Sequence, residues 1–488
     1  MTDGQRGVVF PAEPDGRRST AALGRAVVAD ALRSVDPPGA LAAERETNWR
    51  AGYLSHFRRL VEAGLPAREA ALSIADAGLS SLHRRMRVAG TDGGEAGLGT
   101  LATAPAGRSL GTAEVTGTAE PERELSLPYR GGRLRGDDLL RRLDAWTAAG
   151  VVEPSCAEAV ATVAAHPEWL AVPDRTVVVL GAGAEMGPLT ALLRWGARVA
   201  GVDLPRASLW QRVLETARRG AGTLFLPVTG DGGPMAERAG ADLVGEVPAV
   251  ADWIAALPGR PALGNYVYAD GAMNVRVSVA VDALTVRLAA ARPEVALAFL
   301  ATPTDVFAVP ADAVEQSVRA YAGRSRRAKL LGRPLRTLSA GRLLQRAHVP
   351  GADPGIADSL VAQQGPNYAL AKRLQRWRAT VARAAGITVS MNVAPPTRTR
   401  SVVKNRALAA AYAGAHRFGV EVFDPATSNV LMAALLVHDL HTGGGPAHEH
   451  PWQDEAYAAA HGGLWRGPYA PRSALGLAAL LGYGAARG

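Results

Sequence analysis

The chain of 488 residues contains a single cysteine, Cys156. An intrachain disulfide and a cysteine-rich zinc module are therefore excluded, and inert burial is the expected fate of the thiol. No apolar run reaches the ~18–20 residues that a membrane-spanning helix requires. The opening MTDGQRGVVFPAEPDGRRST lacks the apolar stretch of a secretory signal. The sequence reads as that of a cytoplasmic protein without a membrane partner. Lysine is nearly absent: 51 of the 54 basic residues are arginine, leaving Lys329, Lys372 and Lys404. Arginine abundance beside heavy use of glycine and alanine reflects GC-rich coding, so the net charge of +9 is weak evidence for a nucleic-acid partner. A lysine retained in such a chain is informative.

The composition, 48% hydrophobic and 20% charged, is that of an ordinary globular protein long enough for two or three domains. Residues 1–170 read as a helical region with polar, frayed residues at 1–20. NWRAGYLSHFRRLVEAG places Tyr53, Phe57, Leu60 and Val61 at helical spacing, and a Gly/Ala/Thr-rich linker without periodicity runs near 89–125. At 175 the pattern changes to β-branched runs separated by helical segments. The expected fold class is α/β: a Rossmann-type, doubly wound parallel sheet over 171–440, preceded by the helical region. A basic insertion, GRSRRAKLLGRPLRTLSAGRLLQR, lies near 310–365, and 441–488 form a C-terminal tail. The tail's apolar run SALGLAALLGYG suits a homo-oligomer contact or a core helix equally.

VVVLGAGAEMGPLTALLRWGARVAGVDLP combines a strand, a GxGxxxG turn (Gly181, Gly183, Gly187), a helix near Pro188, and a second strand ending at Asp203. Glycines there permit a tight turn and close approach of the backbone to a pyrophosphate, with the helix N-terminus adding donors. Asp203, 22 residues after Gly181, stands where a carboxylate meets a ribose diol, which favours NAD. Arg206 keeps NADP open. The same motif fits S-adenosylmethionine.

Further on, PNYALAKRLQRW places Tyr368 and Lys372 at i and i+4 of a helix, on one face. A tyrosine near pKa 10 works as an acid or base at neutral pH only if a neighbouring cation lowers its pKa. Beyond that helix, ITVSMNVAPPTRT brings Asn392, Pro395, Pro396, Thr397 and Thr399, and upstream YADG (268–271) precedes Asn274. On these residues the sequence resembles the short-chain dehydrogenase/reductase superfamily over about 175–440. The resemblance implies a nicotinamide cofactor, NAD or NADP, and interconversion of a carbonyl and an alcohol on a small molecule. It makes Tyr368 the proton donor or acceptor, with Lys372 lowering its pKa and holding the nicotinamide ribose. Gly181, Gly183, Gly187, Asp203, Gly271, Pro395 and Thr397 would bind cofactor, and Asn274 would support a proton relay. FDPATSNVLMAALLVHDL would be the last helix, leading to a last strand.

The sequence departs from that family at three points. The first loop is LGAGAEMG in place of TGxxxGxG. The residues ATPTD supply Thr302 and Thr304 where the family has its carbonyl-polarising serine. Between that strand and Tyr368 stand 63 residues, Asp305 to Asn367, a much longer interval than usual. This insertion would cover the active site and meet an anionic substrate, or form a solvated helical face. The alternative readings are an S-adenosylmethionine-dependent methyltransferase and a non-catalytic Rossmann protein. His438, His441, His448 and His450 match no zinc spacing and read as a surface loop with no metal.

Overall fold

The computed structural model describes residues 6–90 and 93–483, apart from the side chains at 327 and 331. Its centre is a seven-stranded sheet: β1 (Gly111–Thr116), β2 (Arg175–Leu180), β3 (Arg198–Val202), β4 (Thr223–Val228), β5 (Arg260–Asn265), β6 (Ala296–Ala301) and β7 (Val389–Val393). The spatial order is β7-β6-β5-β2-β3-β4-β1. Strands β2 to β7 are parallel, and β1 is antiparallel to β4 at one edge. The six parallel strands have the doubly wound order of a dinucleotide-binding fold, reversing between β2 and β5.

The side chains of each strand alternate between two apolar layers, as the pleat requires. Val178 and Leu180 of β2 join one cluster with Ala200, Leu263, Leu297 and Phe299. Val177 and Val179 face the other with Val199, Ala262, Ala296 and Ala298. Burial on both faces explains why these strands read as continuous apolar runs. The first layer is covered by helices Val247–Ala255, Ala272–Ala291 and Pro366–Ala384, the last called here the tyrosine helix. The second is covered by helices Ala207–Arg219 and Pro425–Thr442.

The first third of the chain does not stand apart. Helices Thr20–Leu32, Trp49–Gly64 and Arg68–Arg85 share the first apolar cluster with the tyrosine helix. Gly78 leaves room for the Trp377 ring of that helix. Helices Gly136–Ala148 and Pro154–Ala165 belong to the opposite layer, where Cys156 is buried and its thiol is pushed up by desolvation. Within the expected frayed segment, Gly7–Val9 forms a strand beside Arg87–Ala89, with Val8, Val9 and Phe10 buried; residues 1–5 lie outside the described ones. The expected linker holds β1. Its alternation of exposed Thr112 and Glu114 with half-buried Ala113 and buried Val115 is an edge-strand pattern too polar to stand out in the sequence.

No further strand follows helix Pro425–Thr442 among the described residues, so the sheet ends at β7. The chain instead enters helices Pro451–Ala456 and Pro471–Gly482. Between them Trp465 and His461 are buried, the latter bonded to Glu153 at 2.8 Å. Helix Pro471–Gly482 packs on helix Arg406–Gly414, where Gly414 and Gly482 face the backbones of Ala478 and Ala410. The four histidines near 438–450 are engaged separately. His438 bonds Asp439, His441 bonds the Val437 carbonyl, His448 bonds Asp454, and His450 bonds the Gly64 carbonyl. No helix among the described residues is long and apolar enough to cross a membrane.

Candidate active site

Each central strand ends in a residue that lines one cleft: Gly181 after β2, Asp203 after β3, Tyr266 after β5, Thr302 after β6 and Ala394 after β7. The cleft measures 1630 Å³ and lies at the carboxyl edge of the sheet, over the point where strand order reverses. Open α/β sheets bind ligands there because adjacent loops diverge to opposite faces. Every site residue expected from the sequence lines it except Gly187.

At one end the chain leaves β2 at Gly181, with φ of 89°. A β-carbon there would come within 2.9 Å of the Tyr266 carbonyl, so only glycine fits. The amides of Gly181 and Ala182 bond the Val202 carbonyl at 2.8 and 3.1 Å, turning the loop back onto β3. Asp203 accepts from the Gly183 amide at 2.9 Å, which holds its carboxylate beside the glycine loop. Gly187 lies behind the loop, its carbonyl bonded by the Asn429 amide. The helix that follows is shorter than expected, only Leu189–Arg194, and offers little macrodipole. Glu185 places a carboxylate within the loop, neutralised by Arg400 at 2.9 Å. A loop that admits no side chain at Gly181 and carries Asp203 alongside fits the adenosine half of a dinucleotide.

At the other end Thr302, Thr304, Tyr368 and Lys372 converge. The Thr302 and Thr304 hydroxyls are 2.9 Å apart, and Gln364 Nε2 donates to Thr304 Oγ1 at 2.5 Å. The Gln364 carbonyl accepts from the Val361 amide at 3.3 Å, which orients its NH₂ toward Thr304. Thr304, accepting from Gln364, keeps its own proton available to donate to Thr302, an arrangement that would free the Thr302 proton for another acceptor. Thr302 also neighbours the Tyr368 phenol and lowers its pKa in part.

The expected effect of Lys372 on Tyr368 is corrected here. Burial raises the Tyr368 phenol above its ordinary pKa, only partly opposed by Thr302, and Lys372 has no share in the shift. The Lys372 ammonium instead bonds the Leu300 carbonyl at 3.1 Å and Gln375 Oε1 at 3.2 Å, and burial pushes its pKa down to about 8. Both side chains lie on one helix face as spacing requires, but the cation is directed at the end of β6. The Asn274 side chain is engaged locally. Its Oδ1 accepts from the Ala269 amide at 3.0 Å and fixes the turn before helix Ala272–Ala291. Gly271 occupies that turn at φ 59°, while Pro395 and Thr397 follow β7. The Thr397 hydroxyl lies 2.6 Å from that of Ser428.

The threonine and tyrosine end rests on a buried ion cluster. Asp305 pairs with Arg373 at 3.0 Å and Arg376 at 2.8 Å, and Arg376 bonds Glu455 at 2.7 Å. The two guanidinium groups hold the Asp305 carboxyl below its usual range despite burial. The cluster ties the threonine loop to the tyrosine helix. Sequence reading missed Asp305 and Gln364. Position supplied a signal for Gln364, in QQGPNY just before the tyrosine, whereas the Asp305 pairing spans the whole insertion. Two tyrosines complete the walls: Tyr268, edge-on to Tyr368 at 6.2 Å, and Tyr412. Both phenols are pushed up to about 12, chiefly by burial. The insertion contributes Gln363, Gln364, Gly365, Pro366 and Asn367 to the cleft but none of its basic residues.

No protein-family model matches this chain, and no curated protein matches it. Two solved structures are similar to part of it. One is titled "Structure of A1-type ketoreductase", at 14% identity and a TM-score of 0.31, covering 55% of this chain and 46% of that one. The other is the terminal R domain from the myxalamid PKS-NRPS biosynthetic pathway, at 17% identity and a TM-score of 0.26, covering 54% and 62%. The chain thus spans about half the length of the ketoreductase that it matches. Strand order and the cleft above the reversal of that order make this protein a Rossmann-type α/β protein.

Proposed function

We propose that this protein is an NAD(P)-dependent oxidoreductase that interconverts a carbonyl and an alcohol on a small molecule. One observation carries the reading: a single cleft joins the Gly181–Asp203 end to the Thr302–Tyr368–Lys372 end. Bound nicotinamide dinucleotide would supply or accept the hydride. Gly181 and Gly183 would face its pyrophosphate and Asp203 its adenosine ribose, which favours NAD, with Lys372, Pro395 and Thr397 toward the nicotinamide half. The Thr302 hydroxyl donates a hydrogen bond to the substrate carbonyl, and Tyr368 Oη delivers the proton to the same oxygen as it becomes an alcohol. A raised phenol pKa makes Tyr368 a donor that stays protonated at neutral pH, suited to carbonyl reduction.

Thermal stabilisation by NAD, NADH, NADP, NADPH and S-adenosylmethionine tests the cofactor, since a ligand of the native state raises its stability by mass action. A nicotinamide nucleotide should shift the melting temperature, and a shift with S-adenosylmethionine alone would replace this reading by a methyltransferase. Tyr368→Phe should abolish turnover on a carbonyl panel while keeping the nucleotide shift. Unchanged turnover in that variant would remove the mechanism.

A further inference from the structure

We infer that Arg50 is the substrate's anion anchor: the oxidoreductase proposed above acts on carbonyl compounds that carry a carboxylate or phosphate, bound by the Arg50 guanidinium at the mouth of the reaction end. The inference rests on that reading of the cleft and adds the substrate class.

Arg50 stands in the first turn of helix Trp49–Gly64, whose N-cap is Asn48. A cation at that position opposes the helix macrodipole, so its placement there does not serve the helix. It lines the cleft and makes no hydrogen bond or ion pair among the described residues. Among the other charged groups of the cleft, Glu185 is engaged by Arg400, Glu246 by Arg108, Lys372 by Leu300 and Gln375, and Arg276 by the Val8 and Arg6 carbonyls. Arg206 stands beside Asp203 at the far end, and Arg6 precedes the strand Gly7–Val9, so Arg50 is the cation placed next to the loop before Tyr368. Arg50, an exposed residue, reaches the loop that precedes Tyr368. A β-carbon on Gly365 would lie 2.5 Å from Arg50 Nη1, so the guanidinium fills the space that this glycine leaves open. One turn along the same helix, buried Tyr53 donates to the Val361 carbonyl at 3.1 Å. That hydroxyl clamps the loop 361–365 against the helix. Loop and helix come from segments about 300 residues apart, joined one turn before Tyr368. A guanidinium that lines the cleft with its donors unused recognises a carboxylate or phosphate through charge-assisted bonds.

The test uses the full chain with whichever nicotinamide nucleotide binds. Acetoacetate and levulinate are compared with their methyl esters, and dihydroxyacetone phosphate with dihydroxyacetone, in the wild type, Arg50→Met and Arg50→Lys. The wild type should prefer the charged member of a pair. Arg50→Met should raise its KM about 10- to 100-fold, the range for one charge-assisted bond, and leave the neutral member and the nucleotide-induced melting shift unchanged. Arg50→Lys should recover part of the loss. The acid and phosphate arms show which anion is taken. Where no pair is turned over, the same pairs are compared by added thermal stabilisation on top of nucleotide. A nucleotide shift with no preference for anions, or a preference intact in Arg50→Met, overturns the inference and leaves the oxidoreductase reading standing. No nucleotide shift at all removes that reading first.

Discussion

At the scale of single residues the two threonines are unequal although they sit two positions apart. Gln364 and Thr304 form a chain that ends on Thr302, the hydroxyl that neighbours Tyr368. Thr302→Ala removes the group proposed to face the carbonyl oxygen and should lower kcat about 100- to 1000-fold, the cost of losing one such donor. Thr302→Ser should keep most of the rate. Thr304→Val acts through its neighbour and should cost less, and steady-state kinetics of the three variants would show the ranking. The reverse order would make Thr304 the direct donor. Lys372, with a pKa of about 8, holds its ammonium charge below that pH and loses it above. Carbonyl reduction should therefore weaken as pH rises through about 8, an alkaline limb that a kcat-pH profile would reveal.

Among the elements, the tyrosine helix is the most heavily constrained. It carries Arg373 and Arg376 to Asp305, Arg378 to Asp282, and Trp377 to the space beside Gly78. The long insertion lies between β6 and this helix, yet Asp305 sits at the insertion's first residue and locks the threonine loop back onto the helix. That bond explains how so much chain can be inserted without moving Thr302 away from Tyr368. Asp305→Ala would leave two buried guanidinium groups without their shared carboxylate. Removing one partner of a buried ion pair costs about 3–5 kcal/mol, so urea denaturation should show a loss on that scale. Loss under about 1 kcal/mol would mean the cluster is hydrated and contributes little.

Across the whole molecule, the helices of the first third are joined to the Rossmann core by charge as well as by packing. Asp282, with its side chain 1% exposed, receives His83 at 2.6 Å and Arg378 at 2.7 Å. Burial alone would raise its pKa, but the Arg378 charge and the bonds from Arg378 and His83 hold it down at about 2. A carboxylate depressed in the folded state stabilises it above the unfolded pKa of 3.8, and that contribution is lost as pH falls toward about 2. Asp282→Asn should be less stable than the wild type at neutral pH, and the gap between them should close across that acid window. Denaturation midpoints measured at a series of pH values would check this, and a constant gap would assign the stabilisation to something other than ionisation.

By itself the sequence determined what depends on neighbours along the chain. The apolar runs at 175–180 and 296–301 appear because both faces of a central strand are apolar. GxGxxxG and Asp203 were legible because one turn and one strand end place them together. Tyr368 and Lys372 could be put on one helix face from their spacing alone. Only the tertiary structure decided what depends on distant partners. Strand β1 hid in a polar stretch because an edge strand needs just one apolar face. Lys372 was directed to Leu300 and not to Tyr368, and Asn274 to a backbone amide, because direction within a face is set by what packs against it. Asp305, and the meeting of Arg50 with Gly365, left no local pattern, since ion pairing and loop clamping join segments by closeness in space and put no period into the chain.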